Sequence, residues 1–506
     1  MSLRTRRPAR RQERSAGVPP PSAPPPAAAS DRLPGGRAVA GAVAGCLVLG
    51  CGLSLLPGPA TPGPPPPPGR AAREAAAGAA VTAGAPADRA QLAALVRDIA
   101  RRTRSRPGDA AAWAVLGAAR TGQAVAAGRP EGLRSAEQDL RTALKAGRGA
   151  GPAALTGLAA LAAARNDPST ARSWGERAVS GERRPWQAYA VLVPVYAELG
   201  EQKAAEGALK ELRARHPGAV ARAAAAVLYA GRGRREDSAA AAEDGAALAE
   251  HPAEQAALRV LAGQLAADRG EYGEALRWFG AALRAVPGQG EALAGRARAL
   301  AALGRTAPAE TAYRASLTAR PDTQTALESG ELAESQGRTA AAGQRYAQVR
   351  ALVRRAAGYG VRGSLVLGRL EADHGDPRAA VRILTAEWRR APGAAVGDAL
   401  GWALHRAGQD VRAAAVARKA AATGVRDARL AYHQGESERA LGRAGAARRL
   451  LADALRIDPY FSPLDAPRAR EGLAALGEPG EPTEAGDELG ASPSQTEANT
   501  PPAPAG

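Results

Sequence analysis

Five histidines, two cysteines and fifty carboxylates are the residues through which this 506-residue chain could do acid–base, nucleophilic or metal chemistry. Their spacing gives that chemistry little support. His216 and His251 stand directly before Pro217 and Pro252, where a helix ends and the chain turns. His374 lies in Asp373-His374-Gly375-Asp376, a turn in which a capping role suits it better than ligation. His405 and His433 complete the set. No His-Glu-x-x-His, no Gly-x-Ser-x-Gly and no phosphate-cradling Gly-x-x-x-x-Gly-Lys occurs. Cys46 and Cys51 share one apolar run near the start, so the rest of the chain has no thiol for a disulfide or a thiolate metal site. An acid–base site built from carboxylates alone would need a spacing that nothing here displays. The sequence nominates no catalytic residue, no metal ligand and no cofactor.

The elements that carry these residues repeat. Glycine recurs near a 34-residue step at Gly270, Gly304, Gly337, Gly375, Gly408 and Gly442, and a second ladder runs 17 residues later at Pro217, Pro287, Pro321, Pro392 and Pro459. Between them sits a small residue followed one turn later by a large one: Ala275/Phe279, Ala309/Tyr313, Ala342/Tyr346, Ala380/Leu384 and Ala447/Leu451. Each landmark has a cause. Glycine takes the left-handed conformation that ends a first helix. Alanine lets two helices approach, the large residue fills the space they leave, and proline stops the second helix. Such a unit cannot bury its apolar face alone, so units must stack. The clearest runs Gly263-x-x-Ala266, Gly270-Glu-Tyr272-x-x-Ala275-x-x-x-Phe279-x-x-Ala282-Leu283, Pro287, and it resembles the tetratricopeptide repeat almost position for position.

The resemblance covers roughly residues 107 to 476. Trp113-x-x-Leu116-Gly117 matches that family's opening motif, and Leu192, Tyr196, Gly200, Ala205, Leu209 and Pro217 make another good copy. The units near 130–185 and 220–250 are degenerate, with Asp244 where a large apolar residue belongs. A 38-residue step from Gly337 to Gly375 implies a short insertion around Val353–Gly360. In this family the first helix of each unit lines the concave face. Carried onto the last two good repeats, the resemblance nominates Asp398, Trp402, His405, Arg406, Tyr432, Glu436 and Arg439 as a partner-binding surface. Asp398, Trp402 and His405 share a helix face by their spacing, although Trp402 would serve equally as packing between repeats. Earlier repeats present Val260, Gln264, Asp268, Arg298, Arg369 and Asp373 at equivalent places. These do not match the Lys/Asn clamp by which some relatives hold a C-terminal carboxylate.

The ends of the chain differ from its middle. Residues 1–37 hold eight arginines against Glu13 and Asp31 and are rich in proline, which reads as a disordered basic tail. Residues 38–56 form an uncharged run long enough for a membrane span or signal anchor. The arginine on its near side places the N-terminus in the cytoplasm and the repeats outside. Around Cys51 the run also resembles the lipobox of bacterial lipoproteins, which makes lipidation at Cys51 the alternative to a retained anchor. Residues 57–86 read as a Pro/Ala-rich linker, 87–464 as the repeats, 465–476 as a capping helix and 477–506 as an acidic disordered tail.

The expectation is therefore an all-α chain. It is an α-solenoid of about ten helix–turn–helix repeats, with an N-terminal anchor and disordered ends. The function expected is a membrane-tethered scaffold that binds protein or peptide partners and performs no catalysis. The net charge of +18 raises an alternative, a cytoplasm-facing regulator of nucleic acid or another polyanion. Arginine is spread along every repeat, however, and no nucleic-acid module signature is present.

Overall fold

The computed structural model describes residues 89–147, 151–422 and 426–477. All of them lie in the second of two units, Gly35–Gly506. The expected anchor at 38–56, both cysteines, the basic head and the residues from 478 onward lie outside the described residues. Among the described residues, no helix is long and apolar enough to cross a membrane.

Those residues form twenty-two α-helices and no strand. After α1 (Arg89–Ser105), ten antiparallel pairs follow. The first five are α2/α3 (Ala110–Ala127, Gly132–Ala146), α4/α5 (Gly151–Ala164, Pro168–Val179), α6/α7 (Trp186–Leu199, Gln202–Arg215), α8/α9 (Ala219–Ala230, Arg235–Leu248) and α10/α11 (Pro252–Asp268, Tyr272–Ala285). The next five are α12/α13 (Gly290–Ala302, Thr306–Ala319), α14/α15 (Thr323–Ser335, Thr339–Ala357), α16/α17 (Ser364–His374, Pro377–Arg390), α18/α19 (Ala394–Arg406, Asp410–Ala421) and α20/α21 (Ala428–Ala440, Ala444–Ile457). α22 (Asp465–Ala475) packs against α21. The first helix of each pair also packs on the first helix of the next pair. First helices therefore make the inner layer and second helices the outer one.

The landmarks sit where their chemistry requires. Ala275, Ala309, Ala342, Ala380 and Ala447 are buried, and so are Phe279, Tyr313, Tyr346, Leu384 and Leu451. Phe279 shows how tight the fit is: a Cβ added at Gly263 would lie 2.7 Å from its ring, and one at Gly295 of the next repeat closer still. One aromatic thus fills the gap left by two glycines on successive first helices. Five of the six ladder glycines hold φ between 71° and 77°. Gly375 does not; it has φ −155°, and α16 ends there without a left-handed cap. The degenerate stretches still form complete pairs. Asp244 turns to solvent 3.4 Å from Arg222, and the buried alanines Ala223 to Ala226 and Ala242 pack that unit.

The insertion predicted near Val353–Gly360 is absorbed by α15, which runs 19 residues where the other second helices have 12 to 15. Its end, with the loop to Gly363, reaches a repeat far away in sequence. Arg355 pairs with Glu131 at 2.6 Å and Arg134 donates to the Gly358 carbonyl at 3.0 Å. The Arg362 amide donates to the Arg165 carbonyl at 2.9 Å, and the Arg362 guanidinium lies 2.7 Å from Asp167. Other bonds run beside these along the same seam. Arg89 donates to the Ala319 carbonyl at 2.8 Å, Ser169 to the Arg390 carbonyl at 3.0 Å, and Tyr272 to Asp458. The partners stand 186 to 230 residues apart, roughly six 34-residue units. Stacking alone would let each unit meet only its neighbours. Here the solenoid coils until one turn rests on the next.

Candidate functional site: a channel inside the coil

Coiling encloses a cavity of about 1220 Å³. Its polar lining comes chiefly from first helices: Gln264 and Asp268 of α10, Arg298 of α12, Glu328 and Glu331 of α14, Arg369 of α16, Asp398 of α18, and Arg429 of α20, with Asp427 just before it. Ala466, Pro467 and Arg470 of α22 join them. Position along the repeat explains the set. Arg298, Glu331 and Arg369 each follow the small residue that lets a first helix approach its partner, namely Ala297, Gly330 and Gly368. The same register that buries the small residue therefore turns its neighbour inward.

The enclosure shows in the ionisation of the lining. Burial, together with the charges of Asp427 and Asp458, pushes the Asp268 carboxyl up to about 7, against the pull of Arg298. Asp268 is solvent-accessible yet ringed by the coil. Burial raises Glu331 to about 8 despite Arg429. Glu198, at the seam, is raised to about 7 by burial and by Glu387 of the facing turn. Arg298 is held above its ordinary value by the charge of Glu328, 3.2 Å away. Arg369 is lowered, first by burial and then by Arg429.

The structure separates the nominated residues. Asp398 lines the channel, and its Oδ1 accepts from His433 Nδ1 at 2.8 Å. Burial would raise that carboxyl, but His433, with Arg369 and Arg429 behind it, holds it below the usual range. Trp402 is only 4% exposed; it stacks on His433 at 4.2 Å and donates its Nε1–H to Asp373 at 2.8 Å. Tyr432 is 2% exposed, between Trp402 and Phe461. His405 bonds to Asp410, and Glu436 pairs with Arg439 at 2.6 Å. Arg406 lies 3.6 Å from Asp373 and over the Trp402 ring, beside a much smaller recess. Trp402 and Tyr432 are thus packing residues, and only Asp398 and Arg406 face open space in the interior.

Sequence reasoning had Gln264, Asp268, Arg298 and Arg369 at equivalent positions but gave them no site. Glu328, Glu331 and Arg429 it missed, and their signal was the same inner register. The arrangement has no nucleophile aimed at a base. The Asp398–His433 pair is capped by Trp402, and Ser437 donates to the His433 main-chain carbonyl rather than its ring. Among the described residues, no group of three or more His, Cys, Asp or Glu is arranged to hold a metal ion.

Paired helices, a buried Ala and large-residue core, a left-handed glycine between helices and inward first helices now stand together. The opening tryptophan, Trp113, donates to the Pro107 carbonyl at 2.9 Å and so ties the start of its unit to the preceding turn. The array is an α-solenoid of helix–turn–helix units that resemble the tetratricopeptide repeat. No protein-family model and no curated protein matches the chain. Solved structures do resemble it. Cut9 with Hcn1, from a crystal structure of the APC/C hetero-tetramer, is 16% identical over 78% of this chain and 67% of that one, with a TM-score of 0.37. A tetratricopeptide repeat protein from Parabacteroides merdae is 18% identical over 57% and 98%, TM-score 0.32. PilF of Pseudomonas aeruginosa is 17% identical over 44% and 97%, TM-score 0.33.

Proposed function

We propose that this chain is a non-catalytic scaffold, tethered to the membrane through residues 38–56, which holds a segment of a protein partner in the channel of its coil on the extracytoplasmic side. The observation that carries the reading is the channel itself, a cavity large enough for several residues of an extended peptide, with charged side chains set in a largely apolar lining and inward-facing first helices as walls. The tether and the side of the membrane rest on the arginine-flanked apolar run. The polyanion alternative has less support. Many outward arginines are already engaged by carboxylates of the chain, as in Arg141–Glu137, Arg172–Glu201, Arg215–Glu211 and Arg443–Glu438. No free basic stripe follows from them.

Photo-crosslinking in intact cells tests the channel. A benzophenone amino acid replaces Gln264 or Gln324, which line the cavity, or Val411, which is 73% exposed on an outer helix. Adducts at the two inner positions and none at Val411 support the reading. Adducts at Val411 alone would overturn it. External protease acting on a tag after Gly506 tests the side: cleavage in intact cells is expected, and protection until lysis would reverse the orientation.

A further inference from the structure

Among the described residues, Arg369 and Arg429 project into the large cavity without a hydrogen bond or ion pair to the chain, and the Nε of Arg369 is buried with no partner. A guanidinium left unpaired in an enclosed site is costly unless something carries its counter-charge. The nearby carboxylates act on the two arginines through space and make their direct bonds to other groups. Asp398 is bonded to His433 at 2.8 Å, and Asp427 caps α20 by accepting from the Leu430 amide at 2.9 Å. Asp465 accepts from Ser462 and pairs with Arg468, each at 3.1 Å. Glu331 keeps its proton up to about 8. Two donor forks on first helices of different repeats therefore face a space of about 1220 Å³ with no hydrogen bond or ion pair of their own. Against the effect of burial, the surrounding charges of Glu331, Asp465, Asp427 and Asp398 hold Arg429 above its ordinary value.

We infer that Arg369 and Arg429 form an anion-binding site inside the channel that takes the carboxylates of an extended acidic peptide. The inference rests on the channel being open to a peptide segment and adds the chemistry of that segment. Two sources could supply it. One is an acidic stretch of a partner. The other is this chain's own 478–506, which carries six acidic residues and no basic one and follows directly on α22, whose residues share the cavity lining. Twenty-nine residues reach on the order of 100 Å when extended, ample to enter the channel.

The test is a binding measurement on the full chain, either native or with its tail neutralised (E478Q, E481Q, E484Q, D487N, E488Q, E497Q). The probe is a fluorescein-labelled synthetic peptide of residues 478–506, used beside the same peptide with those six acids neutralised. The tail-neutralised chain is expected to bind the acidic probe, and R369Q/R429Q to weaken binding at least about tenfold. R369K/R429K should restore part of it, with circular dichroism and thermal unfolding confirming that each variant is folded. If the native chain binds at least about tenfold more weakly than the tail-neutralised one, its own tail fills the site. If both bind alike and both need the arginines, the site serves a partner's segment. Equal binding of the acidic and neutral peptides would overturn the anion site and leave the channel reading standing. Binding of neither peptide, or acidic binding indifferent to the arginines, would also overturn it; the photo-crosslinks judge the channel separately.

Discussion

At the scale of single residues, the channel depends on side chains whose size or charge has one acceptable value. Phe279 is fully buried against two glycines of successive first helices. Phe279→Ala should therefore cost about 3–5 kcal/mol, seen as an earlier denaturant midpoint with the helix content of native protein unchanged. Glu331 carries the clearest pH signature. The unfolded chain loses this proton near the ordinary 4.5, while burial in the folded channel holds it to about 8. Folding therefore takes up a proton between those values, and the contribution of Glu331 to stability falls as pH rises through that window. Glu331→Gln should match the parent at pH 4 and melt at a higher temperature than the parent at pH 8. A parent more stable than the variant at pH 8 would mean that Glu331 is ionised and paired instead.

At the scale of elements, the repeat was legible because each landmark obeys a local rule. Gly270 ends α10 in the left-handed region, Ala275 admits a neighbouring helix and Phe279 fills the remaining gap. Gly375 kept its place in the ladder without the left-handed φ, since the turn at Asp376, which caps α17 through the Arg378 amide, makes the connection another way. The insertion after Val353 could be counted from spacing, but its use could not. Its partners, Glu131, Arg165 and Asp167, lie in repeats read as degenerate, and no local pattern encodes a bond across about 200 residues. R355E/R362E places like charges against Glu131 and Asp167. It should speed amide exchange around Arg165–Asp167 and Tyr359–Gly363 and leave α18 to α21 protected. Uniform loss of protection would make the insertion part of the core instead of a strut between turns.

At the scale of the whole molecule, the site was half legible for the same reason. The inner register can be read from the sequence, and Asp398 and Arg369 share it and line the cavity. Burial could not be read, because whether an inward residue meets solvent, a neighbour or the facing turn depends on how tightly the coil closes. Trp402 and Tyr432 look like ligand contacts in one repeat and prove to be the packing between three. Glu198 looks like an ordinary surface carboxylate until Glu387 of the next turn is brought beside it. The channel exists only if the turns touch, so the decisive measurement is a distance across the seam. Spin labels at T170C and R389C, exposed positions next to the Ser169–Arg390 contact, with C46S and C51S removing the native thiols, would report it by pulsed electron–electron resonance. A short, narrow distance distribution is predicted. A broad distribution centred at a much longer separation would contradict the closed coil, and with it the channel and everything proposed to bind there.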